Sequence, residues 1–297
     1  MDQTFDRIER IVTGENGLQW LQLLCRLRDS PSVAVDKELT AELVALEMGR
    51  IAPNGIALTD FGRKCADSAR EYIFWLERNR KFHCEDQYRC TRLENFQGKD
   101  ILELGSGWGC NLIRLSSVAK MAIGIEIEPV YTAFSRVLAK REGLSPPHLI
   151  LGSAEAAPFR AMEFDWVVVW SALQYMDVSK VLHECSRVLR PGGYALVSYS
   201  WLGPSICFGF RRAIRERHPR ILGSLASMIV NTLWYQVFGA RIRKNVREAA
   251  TARPIYVTKR YMAKLGKRAG LLVRTDLGAR TGDDRSIIVF EKNIAPK

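Results

Sequence analysis

Residues 101–109 read Ile-Leu-Glu-Leu-Gly-Ser-Gly-Trp-Gly and are the most informative segment of this chain. The apolar run predicts a buried strand, which carries the acidic residue Glu103 and then enters three alternating glycines. Glycine is needed where the backbone takes a positive φ or approaches a ligand closely, and a following helix offers unpaired N–H groups to an anion. Cys110 stands where the dinucleotide fingerprint needs a glycine, and no Gly-Lys-Ser/Thr follows, which excludes a P-loop. The segment therefore predicts a ligand-binding turn of another kind between a strand and a helix.

Short apolar runs rich in β-branched residues alternate with helical stretches on both sides of this turn. The runs lie at 100–104, 122–127, 148–151, 165–170 and 194–198. Such alternation predicts a parallel sheet with crossover helices. Two more strands are expected near 271–276 and 285–291, after a helix that Thr258 caps. The fold class expected is therefore α/β, with seven mostly parallel strands and helices on both faces.

Three further sequence motifs follow the glycine turn along the chain. They are Gly-Ile-Glu-Ile-Glu-Pro at 124–129, Gly-Ser-Ala-Glu-Ala-Ala-Pro-Phe at 152–159, and a buried strand and loop at 164–175 followed by Leu-Arg-Pro-Gly-Gly at 189–193. Together with the glycine turn, they resemble the class I S-adenosylmethionine-dependent methyltransferases, in particular the small-molecule type 11-like group. The resemblance is close over about residues 98–200 and loose over 257–292. It implies a Rossmann-like fold, methyltransferase activity and S-adenosyl-L-methionine as cofactor.

The resemblance also assigns cofactor contacts. The acidic residue and the glycines of the first motif would line the methionine part, and Glu126 would accept hydrogen bonds from both ribose hydroxyls, which suits a carboxylate. Ser153 stands where the family has an aspartate that holds the adenine amino group, so that contact is expected to be weaker. The full set of expected cofactor residues is Glu103, Gly105, Ser106, Gly107, Gly109, Glu126, Ile127, Ser153, Ala154, Glu155, Trp170 and Tyr88.

Candidates for catalysis lie in the loop after the fourth strand of the family order, which faces the methyl group in this fold. Gln174 and Tyr175 are positioned there to orient a nucleophile, although tyrosine has a reference pKa near 10 and is a poor base at neutral pH. Packing under the cofactor is an equally good interpretation of both. His218 is the histidine best placed in sequence to act in the site. No metal site is expected, because His83, Cys84 and Cys90 fit no zinc spacing.

Residues 1–95 are predicted to form a separate N-terminal domain. A Pro-Asn-Gly turn at 53–55 between two short strands resembles a winged-helix module, and a plain helical cap is the alternative. The resemblance implies a dimerisation and lid domain, as in small-molecule O-methyltransferases, whereas DNA binding, as in regulators, is less favoured because the region is not strongly basic. Residues 96–297 are predicted to form the methyltransferase domain, with an insertion at about 202–256.

The net charge of +12 is concentrated after residue 201, where 20 Lys and Arg stand against 6 Asp and Glu. The insertion contains 19 uncharged residues, 221–239, with strongly basic flanks between 211 and 247. Three interpretations stay open: a lid over the substrate pocket, a segment that lies in an anionic membrane interface, and a dimer contact. Internal polar residues make it a poor membrane-spanning helix.

The expected reaction is methyl transfer to a small-molecule or lipid-linked acceptor, with oxygen favoured over nitrogen or carbon. The alternatives are an RNA methyltransferase, motivated by the basic tail, and a non-catalytic protein that keeps the cofactor fold. No Asp/Asn-Pro-Pro-Tyr/Phe or Pro-Cys motif follows the fourth strand, which makes nucleic acid the less favoured partner. Seven irregularly spaced cysteines and an acidic N-terminus favour a cytoplasmic protein, with a peripheral membrane contact or a homodimer as further expectations.

Overall fold

The computed structural model describes residues 2–29, 35–53, 55–81, 92–198, 201, 203, 205–207, 210–211, 214, 219–240, 254–277 and 287–293. The chain divides into two compact units. The first consists of Met1–Cys84, Gly107–Ser117 and Glu128–Leu151. The second consists of Glu85–Ser106, Val118–Ile127 and Gly152–Lys297. An independent domain ending near residue 95 stays a prediction.

The first unit is mainly helical. Its elements are α1 (Asp2–Thr13), α2 (Gly17–Asp29), α3 (Lys37–Ala45), β1 (Gly49–Ala52), β2 (Gly55–Leu58), α4 (Asp60–Lys81), α5 (Cys110–Leu115), α6 (Pro129–Arg141) and β5 (His148–Leu151). Strands β1 and β2 pair antiparallel, with Gly49 opposite Leu58. Asp36 caps α3 by accepting a hydrogen bond from the Leu39 backbone N–H at 2.8 Å, which satisfies one of the unpaired donors at the start of the helix.

Aromatic side chains form the core of this unit. Trp108 and Tyr72 are fully buried, and their rings meet edge to face with centroids 5.7 Å apart. Trp75 makes a second edge-to-face contact with Trp108 at 5.5 Å. The Arg141 Nε–H donates to the Tyr72 hydroxyl at 3.1 Å, so the polar end of this buried ring is satisfied. Trp108, a residue of the glycine turn, is therefore a core residue.

The second unit contributes the remaining strands. They are β3 (Asp100–Leu104), β4 (Met121–Glu126), β6 (Phe164–Trp170), β7 (Leu189–Ser198), β8 (Leu271–Val273) and β9 (Ile287–Lys292). The sheet has seven strands in the order β5-β4-β3-β6-β7-β9-β8. The pairs β3–β4, β3–β6 and β6–β7 are parallel, and β9 runs antiparallel to both β7 and β8. The seven-stranded α/β sheet predicted from the sequence is confirmed, as a mixed sheet.

The Leu-Arg-Pro-Gly-Gly segment lies within β7, whereas the sequence pattern predicts a turn before this strand. Leu189 already pairs with Phe164, and Tyr194 pairs with Trp166, so residues 190–193 bulge opposite a single partner, Asp165. The bulge places Arg190 beside Asp165, and its guanidinium forms an ion pair of 2.8 Å with the Asp165 carboxylate. Proline and glycine are tolerated at such a bulge because the ladder is already interrupted there.

Among the described residues, the second unit also contains the helices α7 (Val178–Val188), α8 (Pro219–Phe238) and α9 (Lys259–Arg268). The Thr258 hydroxyl caps α9 by accepting from the Tyr261 N–H at 3.2 Å, as the sequence predicts. Helix α8 forms most of the uncharged stretch of the insertion. Within the described ranges, no helix has the length and apolar character needed to cross a bilayer.

Candidate active site

Two buried carboxylates mark the C-terminal edge of β3 and β4. Glu103 is 1% exposed and Glu126 is 6% exposed. Glu103 is in register with Gly124 on the neighbouring parallel strand. Registered residues of parallel strands share a face and side chains repeat every second residue. Glu126 therefore projects from the same face as Glu103, on the neighbouring strand and about 7 Å further along it. Burying carboxylates is costly unless they have specific partners, and buried carboxylates at the end of a strand are typical of ligand sites.

The turn after β3 closes over the end of β4. The backbone N–H groups of Gly105 and Ser106 both donate to the Ile125 carbonyl, at 2.9 and 3.1 Å, and the Ser106 hydroxyl adds a bond of 3.2 Å. Gly105 has a φ of +70°, and an added Cβ would lie 2.7 Å from the Cβ of Ala172. Glycine is therefore required at position 105 both for its backbone angle and for its space.

The turn after β5 lies beside the same strand end. The Gly152 N–H donates to the Glu126 carbonyl at 2.9 Å, so the predicted adenine-side segment is placed next to the ribose candidate. The Ser153 hydroxyl accepts from the Glu155 N–H at 3.2 Å, which uses this side chain to hold its own turn. Ala154 is buried, and Ile127, which follows β4, is largely exposed.

Glu155 fixes the position of the next helix. Its carboxylate accepts from the Asp177 N–H at 2.8 Å and lies 3.6 Å from the Lys180 ammonium. Asp177 in turn caps α7, with its carboxylate accepting from the backbone N–H groups of Ser179 and Lys180. These bonds connect the turn after β5 to the loop after β6, so the two predicted ligand-facing segments form one hydrogen-bonded frame.

The loop after β6 carries the catalytic candidates. It starts at Trp170 and turns at Ser171, a non-glycine residue with a φ of +53° in the left-handed region, which is uncommon and marks local backbone strain. Gln174 is buried, and its side-chain N–H donates to the Ser171 carbonyl at 2.6 Å. Tyr175 is about half exposed. Gln174 is thus held in place, while the neighbouring phenol is accessible.

The comparisons with known proteins agree with this arrangement. The family described as a methyltransferase domain matches residues 102–197, the segment from β3 to β7. A Mycolicibacterium smegmatis protein named "Probable S-adenosylmethionine-dependent methyltransferase" is 28% identical over 147 residues, which are 49% of this chain and 52% of that protein. Residues 102–197 are a methyltransferase domain, similar to those that use S-adenosylmethionine. The chain spans only about half the length of the curated relatives it matches.

Two more relatives of the methyltransferase domain extend the comparison. Phthiotriol/phenolphthiotriol dimycocerosates methyltransferase 1 of Mycobacterium ulcerans is 33% identical over 126 residues, 41% of this chain and 45% of that protein. A chain from a complex with the Haloferax volcanii Trm112 methyltransferase activator has a TM-score of 0.50 at 14% identity, covering 77% of this chain and 96% of its own length. At this identity the structural likeness shows the fold alone.

The donor set of the methyltransferase domain fits S-adenosylmethionine. A buried carboxylate at the end of β4 matches a ribose diol, because one carboxylate can accept hydrogen bonds from two hydroxyl groups. The positive φ at Gly105 and the buried Glu103 beside it provide a close backbone approach and an acceptor for an ammonium group. Among the described residues, no group of three or more His, Cys, Asp or Glu side chains could hold a metal ion.

The last two glycines of the turn belong to the first unit. Gly107 has a φ of +56°, and an added Cβ would lie 2.7 Å from a Glu71 carboxylate oxygen. Gly109, with a φ of +86°, is the N-cap of α5, and an added Cβ would lie 2.6 Å from the Pro147 ring. Both positions require glycine; their cofactor contacts stay predictions. Tyr88 and His218 lie outside the described residues.

Two tyrosines that sequence reasoning missed also lie near the loop after β6. The Ile255 N–H donates to the Gln174 carbonyl at 2.9 Å, which brings the chain at 254–257 against the loop. Burial, helped by the nearby Tyr175, raises the pKa of Tyr256 to about 12. The Tyr235 hydroxyl of α8 donates to Asp177 at 2.9 Å and accepts from the Ser179 N–H at 2.9 Å. No local motif marks either tyrosine, because both reach the loop from more than 50 residues away in sequence.

Proposed function

We propose that this protein transfers the methyl group of S-adenosylmethionine to an oxygen atom of a small-molecule or lipid-linked acceptor. The observation that carries the proposal is the pair of buried carboxylates, Glu103 and Glu126, on one face of adjacent parallel strands. When bound, S-adenosylmethionine supplies an electrophilic methyl group on a sulfonium. Everything else that the reaction requires, namely alignment, exclusion of water and handling of the acceptor proton, falls to the chain.

The proposed cofactor contacts follow the strand edge. Glu126 would hold both ribose hydroxyls, and Glu103 with Gly105 would hold the methionine part. Ala154 and Ser153 would lie along the adenine, with the backbone of this turn taking over the polar contact that the family aspartate makes. Ile127, exposed at the end of β4, would pack on the adenine ring.

The catalytic loop favours an acceptor that is already nucleophilic or acidic. Residues 171–176, Ser-Ala-Leu-Gln-Tyr-Met, contain no histidine or carboxylate. The adjoining Asp177 carboxylate is occupied by two backbone N–H groups and by the Tyr235 hydroxyl. Tyr175 and Tyr256 are therefore proposed to orient the acceptor oxygen as hydrogen-bond donors, while the proton that this oxygen gives up on methylation passes to solvent. The Mycobacterium ulcerans relative is named for phthiotriol acceptors, and a triol carries hydroxyl groups, which supports oxygen as the acceptor atom.

The test is transfer of an isotope-labelled methyl group. Purified full-length protein is incubated with labelled S-adenosylmethionine and separate aqueous and organic extracts of cells. We expect label in one product, and NMR of the methyl carbon distinguishes oxygen, nitrogen and carbon acceptors. A Tyr175→Phe variant should retain cofactor binding and lose about tenfold or more in rate. Cofactor binding without label transfer to any extract would favour a non-catalytic protein that keeps the cofactor fold. Label found in RNA would favour an RNA methyltransferase.

We also propose that the N-terminal region is a winged-helix module that mediates homodimerisation. The order α1, α2, α3, β1, β2 and the antiparallel pairing of the two strands support this proposal. Ile51 on β1 is 80% exposed, as expected for an apolar residue that meets a partner. Sedimentation should give a dimer for the wild-type chain and a monomer for Ile51→Asp. A wild-type monomer at high concentration would contradict dimerisation.

A further inference from the structure

One face of helix α8 is buried, and this face carries both polar and apolar side chains. The buried positions repeat at helical spacing and are Leu225, Met228, Asn231, Thr232 and Tyr235. The Thr232 hydroxyl accepts from the Tyr256 N–H at 3.1 Å, and Tyr235 is bonded to Asp177 and Ser179 of α7. These bonds orient the helix, because a half-turn rotation would break all of them.

The opposite face of α8 is apolar and exposed. Val230, Leu233, Trp234, Val237 and Phe238 have spacings of three and four residues, which place them on one side of the helix. Their exposed fractions are 54%, 52%, 44%, 73% and 62% in that order. The Trp234 and Phe238 rings pack together with centroids 4.2 Å apart. Five large apolar side chains exposed in one stripe are unusual on a soluble surface and are typical of an interaction site.

The positive charge of the sequence around α8 favours a negatively charged partner. From residue 211 to residue 247 there are nine Lys and Arg and a single acidic residue, Glu216. Arg211 is exposed in the structure, and Arg241 follows Phe238 by three residues in the sequence. Two copies that met through this face on a two-fold axis would bring their positive charges together, which opposes a dimer here.

We infer that the exposed face of α8, from Val230 to Phe238, lies in the surface of an anionic lipid bilayer. An interfacial helix places its apolar side chains at the boundary of headgroups and acyl chains, with basic residues beside it to attract anionic lipids. Tryptophan is enriched at that depth, which suits Trp234. The inference is independent of the proposed reaction, since vesicle binding requires neither cofactor nor acceptor.

The experiment is flotation of the full-length protein with phosphatidylcholine vesicles, with and without phosphatidylglycerol. We expect flotation only with the anionic lipid, weakened by high salt. The double variant Trp234→Ser/Phe238→Ser should bind about tenfold or more weakly, since it removes two exposed aromatic anchors. The matched control is Leu151→Ser/Met162→Ser, which removes two apolar side chains of similar exposure elsewhere and should float like the wild type.

A second measurement keeps the inference testable if the double variant folds poorly. Brominated lipids in the vesicles should quench part of the tryptophan fluorescence of the wild-type protein, because only inserted rings approach the acyl chains. Absence of flotation and of quenching with anionic vesicles would overturn the inference, as would equal binding by the two double variants. A dimer that Trp234→Ser/Phe238→Ser dissociates, without vesicle binding, would assign the face to a second copy.

Discussion

The strand edge at Glu103 and Glu126 and the helix α8 both bury polar groups in the second unit, yet they do so in opposite ways. At the strand edge, Glu103 and Glu126 are buried beside a turn in which Gly105 has a positive φ, and this edge is the proposed cofactor site. In α8, Asn231 and Thr232 are buried while Val237 and Phe238 are exposed, the reverse of what residue type favours. We therefore propose that polar burial marks a ligand site in the first region, whereas in the second region it fixes the orientation of α8.

The largest effect is expected from removal of the ribose carboxylate. Glu126→Ala should weaken S-adenosylhomocysteine binding about 200-fold, because two hydrogen bonds to a charged group are lost. Isothermal titration measures this directly. The control is Glu128→Ala, two residues away, which loses an ion pair of 2.9 Å with Lys64 and should keep its affinity. Equal loss in both variants would contradict a specific role for Glu126.

The glycine turn offers a matched pair of substitutions. Gly105→Ala should lower the free energy of unfolding by about 2–3 kcal/mol and impair cofactor binding, because its Cβ meets Ala172 in addition to the backbone strain. Gly98→Ala has a similar φ of +66° but open space around it, so only about 1 kcal/mol should be lost and binding should remain. Urea unfolding compares the two. Identical losses would mean that the close contact at Gly105 does not matter.

Substitutions at neighbouring residues on the two faces of α8 test which face of the helix is buried. Tyr235→Phe should cost about 1–2 kcal/mol of unfolding free energy, because it removes the buried hydroxyl that donates to Asp177 and accepts from the Ser179 N–H. Trp234→Ala, one residue earlier but exposed, should change that free energy by less than about 0.5 kcal/mol. A larger loss for Trp234 than for Tyr235 in urea titrations would reverse the assigned orientation of the helix.

The smallest effect concerns acid stability at the β7 bulge. Burial alone would raise the pKa of Asp165, but the Asp100 N–H and the Arg190 guanidinium outweigh it and lower the pKa below its usual 3.8. The charged carboxylate thus stabilises the fold at neutral pH, and this contribution is lost as pH falls below 3.8. The stability difference between wild type and Asp165→Asn should shrink over that range. A difference that stays constant with pH in urea titrations would contradict the assignment.

Much of the fold was predictable because the strands are continuous apolar runs bounded by turn residues. The runs at 100–104 and 148–151 are strands with those bounds. The β7 bulge was not predictable, since proline and glycine normally end a strand, and its reason is an ion pair to the distant Asp165. A local sequence pattern cannot predict an ion pair with a residue that only the tertiary fold brings close.

The candidate cofactor residues could be placed at one strand edge from the sequence, whereas the surroundings of the loop after β6 could not. Glu103, Gly105 and Glu126 fall within 24 residues, in motifs that follow two consecutive strands. Tyr235 and Tyr256 reach the catalytic loop through the insertion, where 19 uncharged residues give no clear amphipathic pattern. Only the structure shows which side of α8 is buried.

The most direct test of the cofactor site is a crystal structure of the full chain with S-adenosylhomocysteine. Both ribose hydroxyls should lie within about 3 Å of the Glu126 carboxylate, with the homocysteine part against Gly105 and Glu103. Ligand density at any other edge of the sheet, or a Glu126 carboxylate beyond hydrogen-bond distance of the ribose, would contradict the proposed site.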